Sequence, residues 1–509
     1  MNHDANRLMI VDLPHPTLDD AWRDHLARHA FGGVCLFRRN IQHAEQLLNL
    51  VEEIREVLGP DALIGIDQEG GTVLRVLDVP QPPSLMALGA VGDAEVAREM
   101  GGVTARGLLA FGINWNFAPV LDVNNNPRNP VIGERSFGSD PLRVAELGAA
   151  WTTGLQEAGV MASVKHFPGH GDTSTDSHLA LPTVDKPLAE LEACEWLPFR
   201  HALRSGADSV MTAHILYPAL DPARPATLSP RILTDLLRDA WGYDGIIVTD
   251  STDMQAIAAH HPNGEAAPLA LQAGADAILA CTHGNMHAQE QQASAIGRAV
   301  REGHLRPERI HESLRRLRRA ATRYPGTPAP LAAEQRARDE QAAYEANLRA
   351  VTRVGEARLP APADRVLLVT PTHAAVGGPY EDSLTGEALH AALKPAFADL
   401  QVLAYDPAHP HAAREALLTT PTDFILFATT GRWELAPAEV ELAHAARSRG
   451  TPTLHLALWN PYHTTALDLP ALVTYGFRDN TLRALRAILT GHARPTGTLP
   501  FRAAEPLTT

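Results

Sequence analysis

The sequence predicts an α/β protein in which a (β/α)8 TIM barrel is followed by a smaller C-terminal α/β sandwich domain. Short apolar runs rich in Val, Ile and Leu recur through the first 325 residues, with stretches of helical periodicity between them. There are eight such runs, which is the number of parallel strands in this barrel. The alternative is an open doubly wound sheet, but it would favour a glycine-rich phosphate turn after an early strand, and the sequence has no convincing one.

The predicted barrel strands follow one another at spacings that leave room for a helix. They are LMIVDL (8–13), GVCLF (33–37), ALIGID (62–67), NWNFAPVLDV (114–123), MASVKHF (161–167), DSVMTAHI (208–215), GIIVTD (245–250) and DAILAC (276–281). The clearest amphipathic stretches between them cover residues 43–59, 142–159 and 284–303. Strands and helices that alternate in this way indicate a parallel sheet with helices outside it.

The pattern changes after residue 325, where a proline-rich hinge precedes a long Ala/Arg/Glu helix. We therefore predict a barrel domain at 1–325, a helical linker at 326–360 and a second domain at 361–509. The strands predicted for the second domain are RVLLVTP (365–371), DLQVLAYDP (399–407), DFILFATT (423–430), PTLHLALWNP (452–461) and ALVTYGF (471–477).

Composition excludes several classes of function. A net charge of −15 argues against a nucleic-acid partner, because phosphate backbones reward basic surfaces. No apolar run reaches the roughly 18 residues that a membrane helix needs, and the N-terminal residues do not resemble a signal peptide. The three cysteines are far apart and form no CxxC pair, as in a reduced cytoplasmic protein. We expect a cytoplasmic monomer or homodimer that binds neither nucleic acid nor membrane.

Polar side chains collect where a barrel places its active site, at the carboxyl ends of the strands. A single aspartate in such a position is commonly a helix cap. Capping does not as readily explain six residues at strand ends whose side chains are able to bind ligands or transfer protons. The residues at or just past predicted strand ends are Asp67, Asp122, Lys165, His166, His214 and Asp250. Lys165 also stands out because the chain has only two other lysines, Lys186 and Lys394, against many arginines.

The segment KHFPGHGDTSTDSHLALP (165–182) concentrates titratable groups between helix-breaking residues. Its histidines and aspartates could supply enough metal ligands, but no HxH or HExxH pair places two imidazoles on one rigid element, so we expect no metal. An acid/base pair of Asp176 and His178 fits better, because the carboxylate can fix the imidazole tautomer and raise its basicity. An ordinary hydrogen-bonded loop histidine is the alternative.

Two further segments suggest a sugar site. Asp250 ends a buried strand, so its carboxylate has the stiff support that a nucleophile requires, although a helix cap is again the alternative. Asp67 in GIDQEGG can accept two sugar hydroxyls, with Glu69 a less certain member, and the adjacent glycines allow close approach. Arg135 and Lys165 can donate to hydroxyls or to an acyl carbonyl.

In this order and spacing, DQEGG, NFAPVLDV, GERSFG, KHFPGHGDT…DSH…LP and VTDSTDM resemble the β-N-acetylglucosaminidases of glycoside hydrolase family 3. The later LWNPYHTTALDLPALVTYGF…GTLPF resembles the C-terminal domain of the bacterial two-domain members, so the resemblance covers nearly the whole chain. It implies that Asp250 is the nucleophile and that His178 is the general acid/base, assisted by Asp176. The residues that it implies near the terminal sugar are Asp67, Arg75, Asp122, Arg135, Lys165, His166 and His214.

The sequence departs from the family pattern at two places. Thr72 replaces the arginine of DQEGGRV, and TDSTDM replaces SDDLSM, which leaves Asp253 as a minor alternative to Asp250. The resemblance implies a retaining exo-β-N-acetylglucosaminidase without cofactor that acts on peptidoglycan-derived or chitin-derived fragments. A phosphorylase on the same fold, a β-glucosidase and a sugar-binding protein with a decayed site are the alternatives. Because an imidazole repels an anionic acceptor less than a carboxylate does, phosphorolysis is a real competitor.

Overall fold

The computed structural model describes residues 2–177, 179–356 and 358–501. Eight parallel strands form the first sheet, each within a predicted run. They are β1 (Met9–Asp12), β2 (Gly33–Leu36), β3 (Leu63–Ile66), β4 (Trp115–Asn116), β5 (Met161–Phe167), β6 (Ser209–Thr212), β7 (Ile246–Val248) and β8 (Ile278–Ala280). The strand order is β7-β6-β5-β4-β3-β2-β1-β8, and a parallel bridge between Val248 and Ala277 joins its two edges. The predicted barrel is confirmed.

Strand β4 is much shorter than the predicted segment 114–123. Pro119 lies in the middle of this segment and has no N–H to donate to a ladder. Pairing resumes beyond it, where the Leu121 amide donates to the Lys165 carbonyl at 2.7 Å. The chain therefore follows β5 through an interrupted ladder, and Asp122 comes to lie beside the carboxyl end of that strand.

Helices surround the barrel and connect the strands of both sheets. They are α1 (Asn2–Asn6), α2 (Asp20–His29), α3 (Ala44–Leu58), α4 (Leu85–Val91), α5 (Ala94–Leu109), α6 (Pro141–Glu157), α7 (Leu188–Ala193), α8 (Trp196–Arg204), α9 (Gln255–Ala258), α10 (Ala266–Ala273), α11 (Met286–Arg301), α12 (Pro307–Arg323), α13 (Ala333–Ala350), α14 (Gly386–Leu393), α15 (Arg414–Thr419), α16 (Pro437–Ser448), α17 (His463–Leu467) and α18 (Asp479–Leu489), with a π-helical segment at Arg231–Ala240. Their ends follow local chemistry: Asp19 caps α2 by accepting from the Trp22 amide at 2.9 Å. None of the described helices is both long and apolar enough to cross a bilayer.

The second sheet has six strands in the order β11-β10-β12-β13-β14-β9. They are β9 (Thr352–Val354), β10 (Arg365–Pro371), β11 (Asp399–Tyr405), β12 (Phe424–Thr429), β13 (Thr453–Ala457) and β14 (Ala471–Val473). Five are parallel and match predicted strands, whereas β9 is antiparallel to β14. The segment 326–360, predicted as a helical linker, contains α13. It also contains β9, which has only three residues and therefore no recognisable strand pattern in the sequence.

The second sheet packs against the barrel through buried polar contacts as well as apolar ones. The Trp459 indole N–H donates to Glu134 Oε1 at 2.7 Å, and the Ser84 hydroxyl donates to the Tyr475 carbonyl at 2.7 Å. Arg432 donates to the Pro130 carbonyl at 2.7 Å. These contacts hold the second sheet against the barrel.

Candidate active site

A cavity of about 720 Å³ opens at the carboxyl ends of the barrel strands, a size within the ordinary range of ligand sites. Most of the sequence-predicted residues line it. These are Asp67, Arg75, Arg135, Lys165, His166 and Asp250. Strands β3 and β7 are four places apart in an eight-stranded barrel, so the residues that follow them face each other across the cavity.

Two carboxylates and two cations form one buried network on the β3 and β5 side. Lys165 Nζ lies 2.7 Å from both Asp67 Oδ1 and Glu69 Oε1. Arg135 binds both oxygens of Glu69 at 2.8 Å each, in the bidentate geometry that suits a guanidinium. Glu69, a less certain member from sequence, therefore fixes the positions of both cations. Gly70 and Gly71 permit a close approach of the chain at 82–84: a Cβ on Gly71 would lie 2.5 Å from the Ser84 Cβ.

Glu69, Arg135 and Lys165 of this network are charged. Burial by itself would raise the pKa of Glu69, but Arg135 and Lys165 outweigh it and hold that pKa well below the ordinary value. Burial would lower the pKa of Lys165, but Asp67 and Glu69 outweigh that effect and raise it. The network thus places the Lys165 ammonium and the Arg135 guanidinium at the cavity in fixed positions. It also presents the partly exposed Asp67 side chain, which is 19% exposed.

The loop after β10 brings second-domain residues into the same cavity, where Gly378, Pro379 and Glu381 line the wall. Glu381 Oε2 lies 2.8 Å from Arg75 Nη1, which also donates to the Pro379 carbonyl at 2.9 Å. Arg75 Nη2 lies 3.6 Å from Asp67 Oδ2. Sequence reasoning missed Glu381, because its place in the site depends on how the two sheets pack.

Asp122 is fully buried behind the cavity. Its carboxylate accepts the His170 amide at 2.6 Å, the His166 amide at 3.1 Å and His166 Nδ1 at 2.7 Å. The peptide bond between Lys165 and His166 is cis. Burial by itself would raise the pKa of Asp122, but His166 and His170 together outweigh it and lower the pKa. Asp122 therefore orients the His166 ring and the start of the 168–177 loop.

His170 is a buried structural histidine. Its Nδ1 lies 2.8 Å from the Thr173 hydroxyl and its Nε2 lies 2.9 Å from the Ser177 hydroxyl, so both ring nitrogens are hydrogen-bonded within the loop. Burial lowers the pKa of His170 to about 4, which makes the ring neutral at physiological pH. Both nitrogens are thus engaged in the fold of the loop that carries Asp176.

Asp176 is buried at the end of this loop, next to the second domain. A Cβ added to Gly378 would lie 3.3 Å from Asp176 Oδ2, so the backbone of the second domain packs directly against the carboxylate. The predicted partner, His178, lies outside the described residues, and its predicted role stays a prediction.

The β7 side carries Asp250 and Asp253, both of which line the cavity. The Ser251 amide donates to Asp250 Oδ1 at 2.7 Å, and the Ser251 carbonyl accepts from His214 Nε2 at 2.8 Å. His214 Nδ1 lies 2.7 Å from the Thr227 hydroxyl, so this ring braces the backbone beside Asp250. Burial raises the pKa of Asp253.

Asp12 is a second residue that sequence reasoning missed. It ends β1, lines the cavity and pairs with Arg39. Its carboxylate also accepts the Thr282 and Gly284 amides at 2.9 Å each. The predicted strand LMIVDL (8–13) contains Asp12 near its end, and this is the same signal that identified Asp67.

The family model for the "Glycosyl hydrolase family 3 N terminal domain" matches residues 5–320, which is more than half of the chain. The chain belongs to this family. The protein is therefore a glycoside hydrolase, and its first sheet lies within the matched N-terminal domain.

Relatives and solved structures extend this result. A beta-hexosaminidase of Chromobacterium violaceum is 41% identical over 280 residues, which are 54% of this chain and 78% of that protein. Beta-hexosaminidase A of Pseudoalteromonas piscicida is 35% identical over 344 residues, which are 62% of this chain and 57% of that protein. The solved structure of a family 3 beta-N-acetylglucosaminidase from Paenibacillus sp. str. FPU-7 covers 99% of both chains with a TM-score of 0.92 at 34% identity.

Proposed function

We propose that this glycoside hydrolase is a retaining exo-β-N-acetylglucosaminidase that releases terminal N-acetyl-β-D-glucosamine. The observation that carries the proposal is the cavity in which a fixed network of Asp67, Glu69, Arg135 and Lys165 faces Asp250 across the barrel. The 34% identity to the Paenibacillus beta-N-acetylglucosaminidase over 99% of the chain supports the choice of sugar.

The sugar-holding role falls to residues on the β3 and β5 side. Asp67 accepts from two hydroxyls of the terminal sugar, while Lys165 and Arg135 donate to hydroxyls or to the acetamido carbonyl. Arg75 and His166 complete the wall around it. Because these groups are held by one another before substrate arrives, binding needs little reorganisation of side chains.

Asp250 is proposed as the nucleophile. Its carboxylate attacks the anomeric carbon while the bond from that carbon to the leaving oxygen breaks, which gives a glycosyl ester. His178 gives its proton to the leaving oxygen and then takes a proton from the water that hydrolyses the ester. Asp176 orients the imidazole and stabilises its charged form. The Ser251 amide that donates to Asp250 Oδ1 helps to fix the orientation of the carboxylate.

Sugar specificity is tested by comparing kcat/KM for an aryl N-acetyl-β-glucosaminide with kcat/KM for the matching aryl β-glucoside. We expect a preference of at least about 100-fold for the N-acetylated substrate, since a buried donor left without its acetamido partner is costly. A preference for the glucoside would replace this proposal with a β-glucosidase. Tight binding of N-acetylglucosamine without turnover of either substrate would indicate a decayed site.

The acceptor is tested by adding phosphate. Hydrolysis predicts free N-acetylglucosamine with retained configuration and a rate that phosphate leaves unchanged. A phosphorylase predicts faster turnover and a sugar 1-phosphate. The rates at which these products form from N-acetylglucosaminyl-anhydromuramic acid and from chitobiose show whether peptidoglycan-derived or chitin-derived fragments are preferred.

We further propose a cytoplasmic enzyme of peptidoglycan recycling that acts as a monomer or homodimer. Three free cysteines, of which Cys35 and Cys281 are buried, fit a reducing compartment. Fractionation followed by activity measurement tests the location, and light scattering tests the oligomeric state.

A further inference from the structure

Two histidines and a glutamate lie together on the outer side of the barrel. His25 and His29 are four residues apart on α2 and therefore share one face of the helix, with ring centroids 4.9 Å apart. Glu290 reaches them from α11. Its Oε1 lies 3.7 Å from His25 Nδ1 and 3.5 Å from His29 Nε2, and one ligand atom from each residue lies within 4.8 Å of the others.

The tautomer of His25 is fixed by its neighbours. The Gln289 amide nitrogen donates to the Asp12 carbonyl at 2.9 Å and to Asp12 Oδ1 at 3.1 Å, so the Gln289 carbonyl oxygen must face His25. That oxygen lies 2.9 Å from His25 Nε2 and can only accept, which requires a proton on Nε2. In the neutral ring the lone pair is then on Nδ1, which lies 3.7 Å from Glu290 Oε1.

A lone pair facing a carboxylate is unfavourable unless a cation lies between them. The Nε2 atom of His29 is buried, and it has no hydrogen-bond partner among the described residues. Two imidazole nitrogens and one carboxylate thus converge on one point, with an outer hydrogen bond of the kind that orients metal-binding histidines.

We propose that His25, His29 and Glu290 bind a divalent first-row metal ion, with zinc as the best fit to two imidazoles and a carboxylate. At zinc bond lengths of about 2.0–2.2 Å, tetrahedral ligand atoms stand roughly 3.4 Å apart, so the two distances to Glu290 already suit the ion. The two ring nitrogens lie within 4.8 Å of each other, so they would need to approach each other by at most about 1.4 Å. Glu290 is 40% exposed, which leaves room for water as the fourth ligand.

The site lies away from the catalytic cavity but is connected to it by hydrogen bonds through Gln289. Helix α2 follows β1 and α11 follows β8, and these two strands pair with each other. A metal ion would therefore cross-link the helices outside this pair of strands. Through Gln289 it would also hold Asp12, which lines the cavity. We assign it a structural role.

The test uses the full-length protein, stripped with a chelator and then titrated with Zn²⁺ in a calorimeter. The variants are His29→Gln and Glu290→Gln. The matched control is His304→Gln. His304 also lies close to a glutamate, with its Nδ1 3.5 Å from Glu302 Oε2, but among the described residues this pair does not belong to a group of three possible metal ligands. We expect one Zn²⁺ per chain in the parent and the control, and its loss in both variants.

Gln289→Ala should weaken zinc affinity by about 10-fold to 100-fold, since it removes only the outer hydrogen bond. Zn²⁺ should raise the melting temperature of the parent but not of His29→Gln. Co²⁺ should give visible absorption bands that the same variants lack. Equal zinc binding by the parent and His29→Gln, or no zinc bound by the parent, would overturn the proposal. Circular dichroism confirms that the variants are folded.

Discussion

Two carboxylates at the candidate site have pKa values shifted in opposite directions: Glu69, which pairs with the cavity-lining Arg135 and Lys165, and Asp253, which lines the cavity. Burial raises both, but Arg135 and Lys165 outweigh it at Glu69 and hold that pKa well below the ordinary value. At Asp253 burial prevails over the weaker opposing influence of His283, and the pKa is raised. The β3 and β5 side is thus built from mutually compensated charges, which give a fixed shape for holding a sugar. The β7 side carries Asp250, the proposed nucleophile, and Asp253, its alternative.

The largest expected effect separates Asp250 from Asp253 within the β7 side. Asp250→Ala should lower kcat on an aryl N-acetyl-β-glucosaminide by a factor on the order of 10⁴, as expected when one member of a catalytic group is removed. Asp253→Ala serves as the control and should lower it by less than about tenfold. If Asp250→Ala retains a tenth of the parent activity, or if Asp253→Ala is the more damaging change, the nucleophile is assigned wrongly.

A second prediction concerns the compensated charges. Arg135→Met should lower the free energy of unfolding by about 3–5 kcal/mol, because it leaves the buried Glu69 carboxylate with Lys165 as its remaining cation. Urea denaturation followed by circular dichroism measures this change. The control is Arg98→Met, which removes an exposed ion pair with Glu157 and should change stability little. Equal effects of the two substitutions would show that the network does not hold the site.

Acid should protonate two buried groups of the β3 and β5 side in sequence, starting with His170. Its pKa falls from 6.5 to about 4 on folding, so the unfolded chain binds more protons below pH 6.5 and stability decreases as the pH falls towards 4. Between pH 7 and pH 5 this amounts to about 2 kcal/mol. The pKa of Glu69 is depressed, so its contribution is present above about pH 4.5 and is lost only as the pH falls further.

This prediction is measured as the pH dependence of the urea midpoint. His455 and His463 also have pKa values lowered by burial, so the informative quantity is the difference between the parent and His170→Asn. The variant should show a shallower loss of stability between pH 6.5 and pH 5. An unchanged slope would mean that His170 is not buried in its neutral form.

The smallest expected effect concerns the second domain. Glu381→Gln should raise KM by about threefold to fivefold with little change in kcat, because it weakens the hold on Arg75 at the edge of the sugar site. Asp382→Asn removes the neighbouring carboxylate, which pairs with Arg478 instead, and should leave KM unchanged. Equal KM values for Glu381→Gln and the parent would show that this wall does not contribute to binding.

Much of the barrel could be predicted from short apolar runs, because buried parallel strands need continuous hydrophobic segments and the polar residues that end them share one face. Lys165, Asp67 and Asp250 were found in this way. Asp12 has the same signal and was overlooked. Strand β9 is too short to carry a pattern, and Pro119 interrupts the pairing of β4 with β5 inside the predicted segment 114–123.

The sequence by itself determined the fold class, the family and the side chains able to hold a sugar, because these depend on local periodicity and on motifs whose members are close along the chain. Only the tertiary structure decided which charges compensate one another, that His170 is neutral, and that Glu381 and Gly378 reach the catalytic cavity from the second domain. Those properties depend on burial and on distances of a few ångströms between residues that are hundreds of positions apart, and no local pattern encodes such distances.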